Sequence, residues 1–181
     1  PHRSGSGTLL HMHIHRGHLP GCIGRITAQH AEHYSRIAGF GLAFEAKVAS
    51  ELAAFCLRND PQADGLWLAL HAGEVHGSVV IDAGRQPAQL RWFITSDQVR
   101  GQGLGGRLLD AAMDFCRDRK LPLVQLWTFD GLHAARHLYE KHGFRLAHSQ
   151  RGAQWGREVD EQRFDWRPDA PVTGAQGSAA C

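Results

Sequence analysis

The segment between Arg100 and Arg107 constrains the fold of this chain more than any other, because four of its eight residues are glycine. It lies between a strand expected to end near Thr95 and a helix expected to begin near Gly103. Glycine tolerates positive φ and lets a ligand approach the backbone closely. The free N–H groups and the dipole of a helix N-terminus attract anions, and two arginines add positive charge here. The segment therefore predicts a loop that binds a diphosphate.

Three apolar segments precede this loop, and the turns between them are short. The segments span residues 66–71, 75–82 and 88–95, and the two turns contain three and five residues. Parallel neighbours need a crossover of about a dozen residues, so these segments must pair as antiparallel strands.

The remaining segments show either strand or helix periodicity. Residues 9–16 alternate apolar residues with histidines, which is typical of a strand with one buried face. In residues 42–58, apolar side chains recur at helical spacing, namely Phe44, Val48, Leu52 and Phe55. Further helices are expected over 23–37, 103–120 and 132–142, and further strands over 123–128, 144–148 and 159–166. This order predicts an α/β (α+β) fold in which a mixed, mostly antiparallel sheet carries helices on both faces.

The length of the chain favours a single domain, and its net charge does not indicate nucleic acid or a membrane as a partner. The 181 residues suit a single domain, which we expect to span residues 9–166. Residues 1–8 are expected to be disordered and residues 167–181 to form a flexible tail. A net charge of +2 gives no argument for nucleic acid or an anionic membrane as partner. No apolar run approaches the ~20 residues of a membrane span, and no signal peptide is found, so a cytoplasmic location is expected.

The four cysteines do not form a disulfide or metal-binding pattern. Cys22, Cys56, Cys116 and Cys181 are irregularly spaced, without a C-x-x-C pair. They are interpreted as buried, reduced thiols of a cytoplasmic protein.

Histidines cluster near the start of the chain. His11, His13 and His15 occupy alternate positions of the predicted first strand, and His18 follows. They could share a face and chelate a metal, but no cysteine or carboxylate completes the set. We interpret them as a polar strand face and expect no metal site.

Two other interpretations of the glycine-rich loop must be weighed. It could be a turn without a ligand. It could also be a dinucleotide fingerprint, because Gly101-x-Gly103-x-x-Gly106 matches G-x-G-x-x-G and Asp130 follows the next strand. A dinucleotide fingerprint turns almost directly from strand into the first glycine, whereas residues 96–100 intervene here. The hairpin-linked strands before the loop also argue against a dinucleotide fold.

Two motifs in the order expected for one family favour a third interpretation. The loop contains Arg100-x-x-Gly103-x-Gly105, which resembles motif A of the GNAT acetyltransferases. Residues 134–144, AARHLYEKHGF, resemble the end of motif B of that family. The resemblance covers about residues 9–166. Some segments look most like the acetyltransferase half of MarR–GNAT fusion proteins: Gly24–Tyr34, Phe44-Glu45, Trp127-Thr128 and Ala134–Tyr139.

The resemblance implies the GNAT fold and acetyl transfer from acetyl-CoA to a primary amine by direct attack, without a metal. In the strand before the loop, main-chain groups of Phe93, Ile94 and Thr95 would pair with the pantetheine arm. The pyrophosphate would lie against Arg100, Gly101, Gln102, Gly103, Leu104, Gly105, Gly106 and Arg107. A backbone N–H of that strand would stabilise the developing oxyanion. The amine acceptor, a small molecule or a protein, is not specified, and a homodimer is possible.

The resemblance also suggests catalytic residues. Tyr139 matches the tyrosine that protonates the leaving thiolate. Glu45 is the first candidate for the general base and His30 the second. The family often carries Asn seven residues before the tyrosine, where this chain has Leu132. A non-catalytic acyl-CoA-binding regulatory module is the main alternative function, and a dinucleotide-binding oxidoreductase is a remote one.

Overall fold

A computed structural model describes residues 11–58 and 60–168 and confirms the predicted fold class. Seven strands form one sheet in the order β1-β2-β3-β4-β5-β7-β6. The strands are β1 (His13–Arg16), β2 (Gly65–His71), β3 (Glu74–Asp82), β4 (Ala88–Thr95), β5 (Val124–Phe129), β6 (Arg145–Gly152) and β7 (Val159–Trp166). The helices are α1 (Cys22–Ala38), α2 (Leu42–Arg58), α3 (Leu104–Asp118) and α4 (His133–Lys141). Every strand pair is antiparallel except β4 with β5.

The sheet separates two apolar cores. Helices α1 and α2 cover one face, where Ile26, Leu52 and Val80 are fully buried. Helices α3 and α4 cover the other face, where Leu108 and Phe164 are fully buried. Burial of such side chains contributes about 1.5–3 kcal/mol each, which holds both helical layers on the sheet.

Local sequence sets the ends of the first helix. Gly39 follows α1 with φ of 68°, and its N–H bonds to the carbonyl of Ser35. This left-handed position is a common helix end because glycine adopts it without a Cβ clash. The four apolar residues predicted for one face of α2 are all buried.

A bulge halfway along β4 changes the direction in which two of its side chains point. Ser78 pairs with Ile94 and Val80 pairs with Arg91, so one residue of β3 faces two residues of β4. Trp92 lies in the bulge with φ of 46°, and its carbonyl accepts a hydrogen bond of 2.7 Å from the Ser78 hydroxyl. A bulge breaks the strict alternation of a strand. Consecutive side chains of β4 can therefore face α2.

Strands β4 and β5 diverge beyond their first residues. Within the described residues, their parallel pairing is limited to Ala88 with Val124 and Gln89 with Gln125. The edge of β4 that faces β5 thus carries backbone groups without a strand partner over residues 90–95. Unpaired backbone donors and acceptors require other partners, so this divergence marks a place for a ligand.

Some element boundaries differ from the prediction. Strand β6 continues to Gly152, although a strand over 144–148 was expected. Its residues are almost all exposed, so apolar alternation could not reveal the extension, and pairing with β7 supports it. The described part of the first strand begins at His13, whereas residues 9 and 10 lie outside the described range.

Other expectations concern cysteines, termini and membranes. Cys22 and Cys116 are buried and free; Cys56 is also free but only half-buried, so the prediction of a buried thiol is wrong for Cys56. Cys181, the segment 1–8 and residues 169–181 of the predicted tail lie outside the described residues. None of the described helices has the length and apolar character needed to cross a bilayer.

Candidate active site

A cavity of about 310 Å³ lies where β4 and β5 diverge and receives side chains from both helical layers. Its walls include Phe93 of β4 and Thr128 of β5. Tyr139 reaches it from α4, and His30 reaches it from α1 on the opposite face. The cavity therefore connects the two faces of the sheet.

Tyr139 lies where the sequence motif predicted a functional group. Its ring contacts Phe93 edge-on, with centroids 5.7 Å apart. The side chain is 7% exposed, and burial raises its pKa, with a further contribution from Tyr34. The phenol therefore keeps its proton at physiological pH and can act as a donor.

His30 is held as a neutral proton acceptor. It is 5% exposed, and burial lowers its pKa to about 4. Its Nδ1 lies 2.8 Å from the Ile26 carbonyl oxygen, which can only accept, so Nδ1 carries the proton. The unprotonated Nε2 of this neutral imidazole can accept a proton in the cavity.

Aromatic side chains form one wall of the cavity. Tyr34, Phe40 and Phe44 pack against one another, with the Tyr34 centroid 6.0 Å from Phe40 and 5.4 Å from Phe44. Phe129 of β5 contacts Trp155 of the β6–β7 loop at 5.7 Å. The wall is apolar, and it lies on the α1–α2 side of the sheet.

The glycine-rich loop has the geometry of an anion site. Gly101 and Gly103 have φ of 76° and 72°, which a larger residue would adopt only with strain. Gly103 precedes α3, no side chain caps the helix, and its first turn contains no acidic residue. The first N–H groups of α3 are therefore open to an anion.

The other residues predicted in this loop have distinct surroundings. A Cβ on Gly105 would lie 3.0 Å from Leu138 and 3.2 Å from Phe93, so this glycine permits close packing of α3 on the cavity wall. A Cβ on Gly106 would meet no atom within 4 Å. Gln102 is exposed, and Leu104 is buried in the core beneath the loop.

The two arginines of the loop are engaged with the protein. Arg100 forms an ion pair of 2.7 Å with Asp97, and Asp97 also pairs with Arg36 of α1 at 2.7 Å. The pKa of Asp97 is lowered, chiefly by the hydrogen bond from Arg36. Arg107 donates a hydrogen bond of 3.1 Å to the Met12 carbonyl. Both side chains are exposed, so they can also meet an anion at the loop.

Besides the loop residues, Glu45, Ile94, Thr95 and Leu132 lie outside the cavity wall. Glu45 is exposed in the first turn of α2 and does not line the cavity, so the structure does not bring it together with Tyr139. Ile94 is buried and Thr95 is half-buried, and only their main chain faces the divergence from β5. Leu132 precedes α4 and gives it no side-chain cap.

Charged residues that the sequence analysis did not single out line one end of the cavity. Glu51 of α2 bonds both to Lys47, at 2.8 Å, and to Arg91 of β4. Burial raises the pKa of Glu51, but hydrogen bonds from Lys47 and Arg91 outweigh it and the net pKa is lowered. Arg85, from the β3–β4 turn, also lines the cavity. The i, i+4 spacing of Lys47 and Glu51 is the one signal that could have suggested this cluster.

A buried carboxylate fixes the loop that carries Trp155. Glu161 of β7 is 2% exposed. It accepts hydrogen bonds from the Gln154 amide nitrogens, at 3.1 Å from the main chain and 2.8 Å from the side chain. Gln150 donates a further bond of 3.2 Å. Glu161 thereby positions one wall of the cavity.

Histidines near β1 do not assemble with other ligands. His11, His13 and His18 are exposed, and His15 is half-buried. Within residues 11–58 and 60–168, no group of three or more His, Cys, Asp or Glu side chains is arranged to hold a metal ion.

Several solved structures share this fold. The structure of yncA from Salmonella typhimurium, an acetyltransferase whose activity is inferred, was solved with its cofactor acetyl-CoA. It superposes on this chain with a TM-score of 0.70 and 17% sequence identity, and the match covers 94% of this chain and 99% of that one. For the ribosomal-protein-alanine N-acetyltransferase of Brucella melitensis, the TM-score is 0.67 and the identity 17%, and the match covers 85% of this chain and 98% of that one. For a GNAT family acetyltransferase of Elizabethkingia anophelis with acetyl-CoA bound, the TM-score is 0.57 and the identity 16%, with 86% of this chain and 97% of that one covered.

The sequence itself also matches a family. Residues 30–144 match the acetyltransferase (GNAT) family, and this range includes His30, the glycine-rich loop and Tyr139. The dinucleotide interpretation of the loop is therefore wrong, since a short 3-10 turn at Asp97–Val99 and an antiparallel hairpin precede it. The matched range covers more than half of the chain, and the chain belongs to the GNAT family of acetyltransferases.

Proposed function

We propose that this chain moves the acetyl group of acetyl-CoA to a primary amine by direct attack. The observation that carries the proposal is the cavity at the divergence of β4 and β5, with Tyr139 on one side and His30 on the other. Acetyl-CoA in the Salmonella typhimurium and Elizabethkingia anophelis structures supports the same ligand here.

The loop residues would hold the pyrophosphate. N–H groups at the start of α3 would donate to its oxygens, and Arg100 and Arg107 would add charge from the rim. The unpaired main chain of residues 93–95 would bond to the pantetheine arm and place the thioester beside Tyr139. Leu132 cannot supply a side-chain hydrogen bond to that arm, so the main chain of β4 would carry more of this contact.

Proton transfers can be assigned to residues on the two sides of the cavity. The neutral amine nitrogen attacks the thioester carbonyl carbon, and collapse of the tetrahedral intermediate breaks the C–S bond. Tyr139 donates its hydroxyl proton to the departing sulfur. The positively charged nitrogen of the intermediate is more acidic than a free ammonium, and the neutral Nε2 of His30 takes its proton, although burial makes that imidazole a weaker base than usual. Solvent then returns one proton from His30 to the phenolate of Tyr139.

Glu45 has a different role in this proposal. Because it is exposed outside the cavity wall, it would accept a proton only through water. Comparing Glu45→Gln with His30→Gln tests the two candidates. We expect the larger loss of turnover in His30→Gln, and the reverse order would assign the base to Glu45.

The activity is tested by incubating the chain with acetyl-CoA and a panel of primary amines. We expect thiol release that depends on the amine, together with one acetylated product detected by mass spectrometry. If acetyl-CoA binds but no amine is acetylated, the chain is instead an acyl-CoA-binding regulatory module.

Three finer assignments stay predictions. The resemblance to the acetyltransferase half of MarR–GNAT fusions rests on short segments, among which Tyr34, Phe44 and Trp127 line the cavity. A homodimer is checked by sedimentation of the purified chain. A cytoplasmic location is checked by fractionation of the source cells.

A further inference from the structure

The charged end of the cavity has more cations than anions. Lys47, Arg85 and Arg91 line it, and Glu51 is the single carboxylate among the described residues that do so. Asp82 lies 4.0 Å from Arg91, but it pairs more closely with Arg58, at 2.8 Å. Counting Arg58, Asp82 and the carboxylate of Asp64, which also acts on Arg58, the cluster has four cations and three anions, an excess of one positive charge.

The excess is concentrated on two arginines. Glu51 is shared between Lys47 and Arg91, so its charge cannot neutralise both. Arg85 forms no ion pair with any residue in the described part of the chain. Arg91 is 21% exposed and lies over Trp92, with its guanidinium carbon 4.1 Å from the ring centroid. A held, partly desolvated guanidinium is a good partner for a carboxylate.

The charged end and the reacting end belong to the same cavity. Arg91 and Phe93 both line it, on either side of the bulge at Trp92. Arg91 bonds to Glu51 of α2, whereas Phe93 contacts Tyr139 of α4 on the other face of the sheet. A molecule in the cavity can therefore meet Arg91 at one end and approach Tyr139 at the other.

The opposite wall is apolar. It consists of Tyr34, Phe40, Phe44, Phe129 and Trp155, which pack against one another. An acceptor bound here would have an apolar portion against this wall and an anionic group at the arginines. The cavity volume of about 310 Å³ suits a small molecule.

We infer that the acceptor is an α-amino acid with a large apolar side chain, whose carboxylate binds at Arg85 and Arg91. This inference rests on the proposed acetyl transfer. The α-carboxylate meets the excess positive charge, the side chain meets the aromatic wall, and the α-amine faces the thioester. Polycationic amines are disfavoured, because their second ammonium would meet the same arginines.

The test compares each amino acid with matched amines that lack the carboxylate. Initial rates are measured with L-phenylalanine, L-leucine, L-methionine and L-tryptophan, with their amides, with phenethylamine and with spermidine. The amide is the stricter comparison, since its less basic amine is more often neutral. We expect kcat/KM for the best amino acid to exceed that of its amide by at least about tenfold, the size of a charge-assisted hydrogen bond. Equal or better rates with the amides or with spermidine would overturn the inference.

Variants locate the carboxylate site. Arg85→Gln should lower the acid-to-amide ratio of kcat/KM by about fivefold or more, mainly through KM for the acid. Arg91→Gln leaves Glu51 paired with Lys47, and it should lower the same ratio. The control is Arg119→Gln, after α3 on the other face, which should leave the ratio unchanged. An unchanged ratio in both cavity variants would contradict the assigned site.

Binding separates failure of this inference from failure of the proposed function. Trp92, Trp127 and Trp155 line the cavity, so their fluorescence reports occupancy when coenzyme A is already bound. We expect saturable binding of the amino acid and at least about tenfold weaker binding of its amide. Acetylation of amines other than amino acids would leave the proposed function intact and remove this inference. Tight binding of the acid without any acetylation would remove the function and keep the carboxylate site.

Discussion

Burial changes the chemistry of the side chains that meet in the cavity. Tyr139 and His30 are each less than 10% exposed, and both are kept uncharged by desolvation. The neutral phenol has a proton to donate, and the neutral imidazole, whose Nδ1 donates to the Ile26 carbonyl, has a free lone pair on Nε2. Desolvation therefore keeps two groups on opposite faces of the sheet neutral.

The hydroxyl of Tyr139 is expected to assist departure of the thiolate. Tyr139→Phe removes it with little change in volume, so the contacts with Phe93 and Phe144 should persist. General acid assistance is typically worth ~10²–10⁴-fold, and we expect turnover to fall at least about tenfold, because solvent can partly replace the acid. The measurement is steady-state kinetics together with direct binding of acetyl-CoA, whose affinity should change little. Wild-type turnover with rate-limiting chemistry would leave Tyr139 as a packing residue.

The buried imidazole of His30 should make the fold sensitive to acid. Its folded pKa is about 4, against an ordinary value of 6.5, so the unfolded state binds the proton more readily. The contribution of His30 to the free energy of unfolding is fully present above pH 6.5 and is lost as the pH falls towards 4. That loss amounts to about 3 kcal/mol of unfolding free energy. Burial also lowers the pKa of His33 and of His76, which adds to the same slope.

Urea unfolding between pH 7.5 and pH 4 checks this expectation. His30→Gln should flatten the pH dependence relative to the native chain, and His133→Gln, on the other face of the sheet, should not. Parallel pH profiles for the native chain and His30→Gln would show that His30 is protonated equally easily in both states.

Among the secondary-structure elements, α3 and the β6–β7 loop determine the two ends of the site. The start of α3 leaves N–H groups uncapped behind two glycines of positive φ. The loop between β6 and β7 brings Trp155 to the aromatic wall, and the carboxylate of Glu161 holds it. Each element should respond to substitution in its own way.

A negative charge in the first turn of α3 should have opposite effects on stability and on binding. Gly106→Asp meets no neighbouring atom, and an acidic residue near a helix N-terminus is stabilising by about 0.3–1 kcal/mol. The same charge should repel the pyrophosphate, and we expect affinity for acetyl-CoA to fall at least about tenfold. The control is Gly106→Asn, which has the same shape without the charge. Unchanged affinity in a folded Gly106→Asp variant would remove the loop from the binding site.

Replacement of Gly105 is less informative. A side chain there would clash with Leu138 and Phe93. Gly105→Asp should abolish binding, but through displaced packing as well as charge. Thermal unfolding of the variant separates the two effects.

Loss of the Glu161 carboxylate should loosen the β6–β7 loop. Glu161→Ala leaves the Gln154 amide without its acceptor, and unsatisfied buried polar groups cost about 1–3 kcal/mol. We expect that loss of stability together with a higher KM for the acceptor, because Trp155 is no longer held. Affinity for acetyl-CoA should stay near that of the native chain. Chemical denaturation and acceptor kinetics check both, and a weaker acetyl-CoA complex with an unchanged acceptor KM would contradict the assigned role.

At the scale of the molecule, one sheet joins the two halves of the site. The glycine-rich loop belongs to the α3–α4 side and the aromatic wall to the α1–α2 side. The ion pairs of Asp97 with Arg36 and Arg100 connect the loop to α1 across the top of the sheet. A ligand in the divergence between β4 and β5 would contact both halves at once.

Acetyl-CoA should therefore stabilise the whole fold. A ligand that binds only the native state adds about 2.7 kcal/mol at a hundredfold excess over its Kd. For a chain of this length, that corresponds to a rise in Tm of about 5–10 °C. The measurement is thermal unfolding with acetyl-CoA, coenzyme A and NAD at equal concentration, of which NAD should have no effect. A shift with NAD alone would contradict the assigned ligand.

Local sequence determined the loop, the order of elements and the helix faces. Glycine spacing, apolar periodicity and the Leu138-Tyr139-Glu140-Lys141 motif are short-range signals, so the fold and the family could be predicted and were confirmed. The polar edge strand β6 could be predicted only in part, since its length depends on pairing with β7.

The composition of the site was decided by tertiary structure. Glu45 and Glu51 are both carboxylates on α2, and only the packing of that helix places Glu51 in the cavity and Glu45 outside it. The bulge at Trp92 lets Arg91 join the same cluster, through a register shift that depends on Ser78 of another strand. Such contacts join residues distant in sequence. No local pattern encodes them, because they arise only when strands and helices pack together.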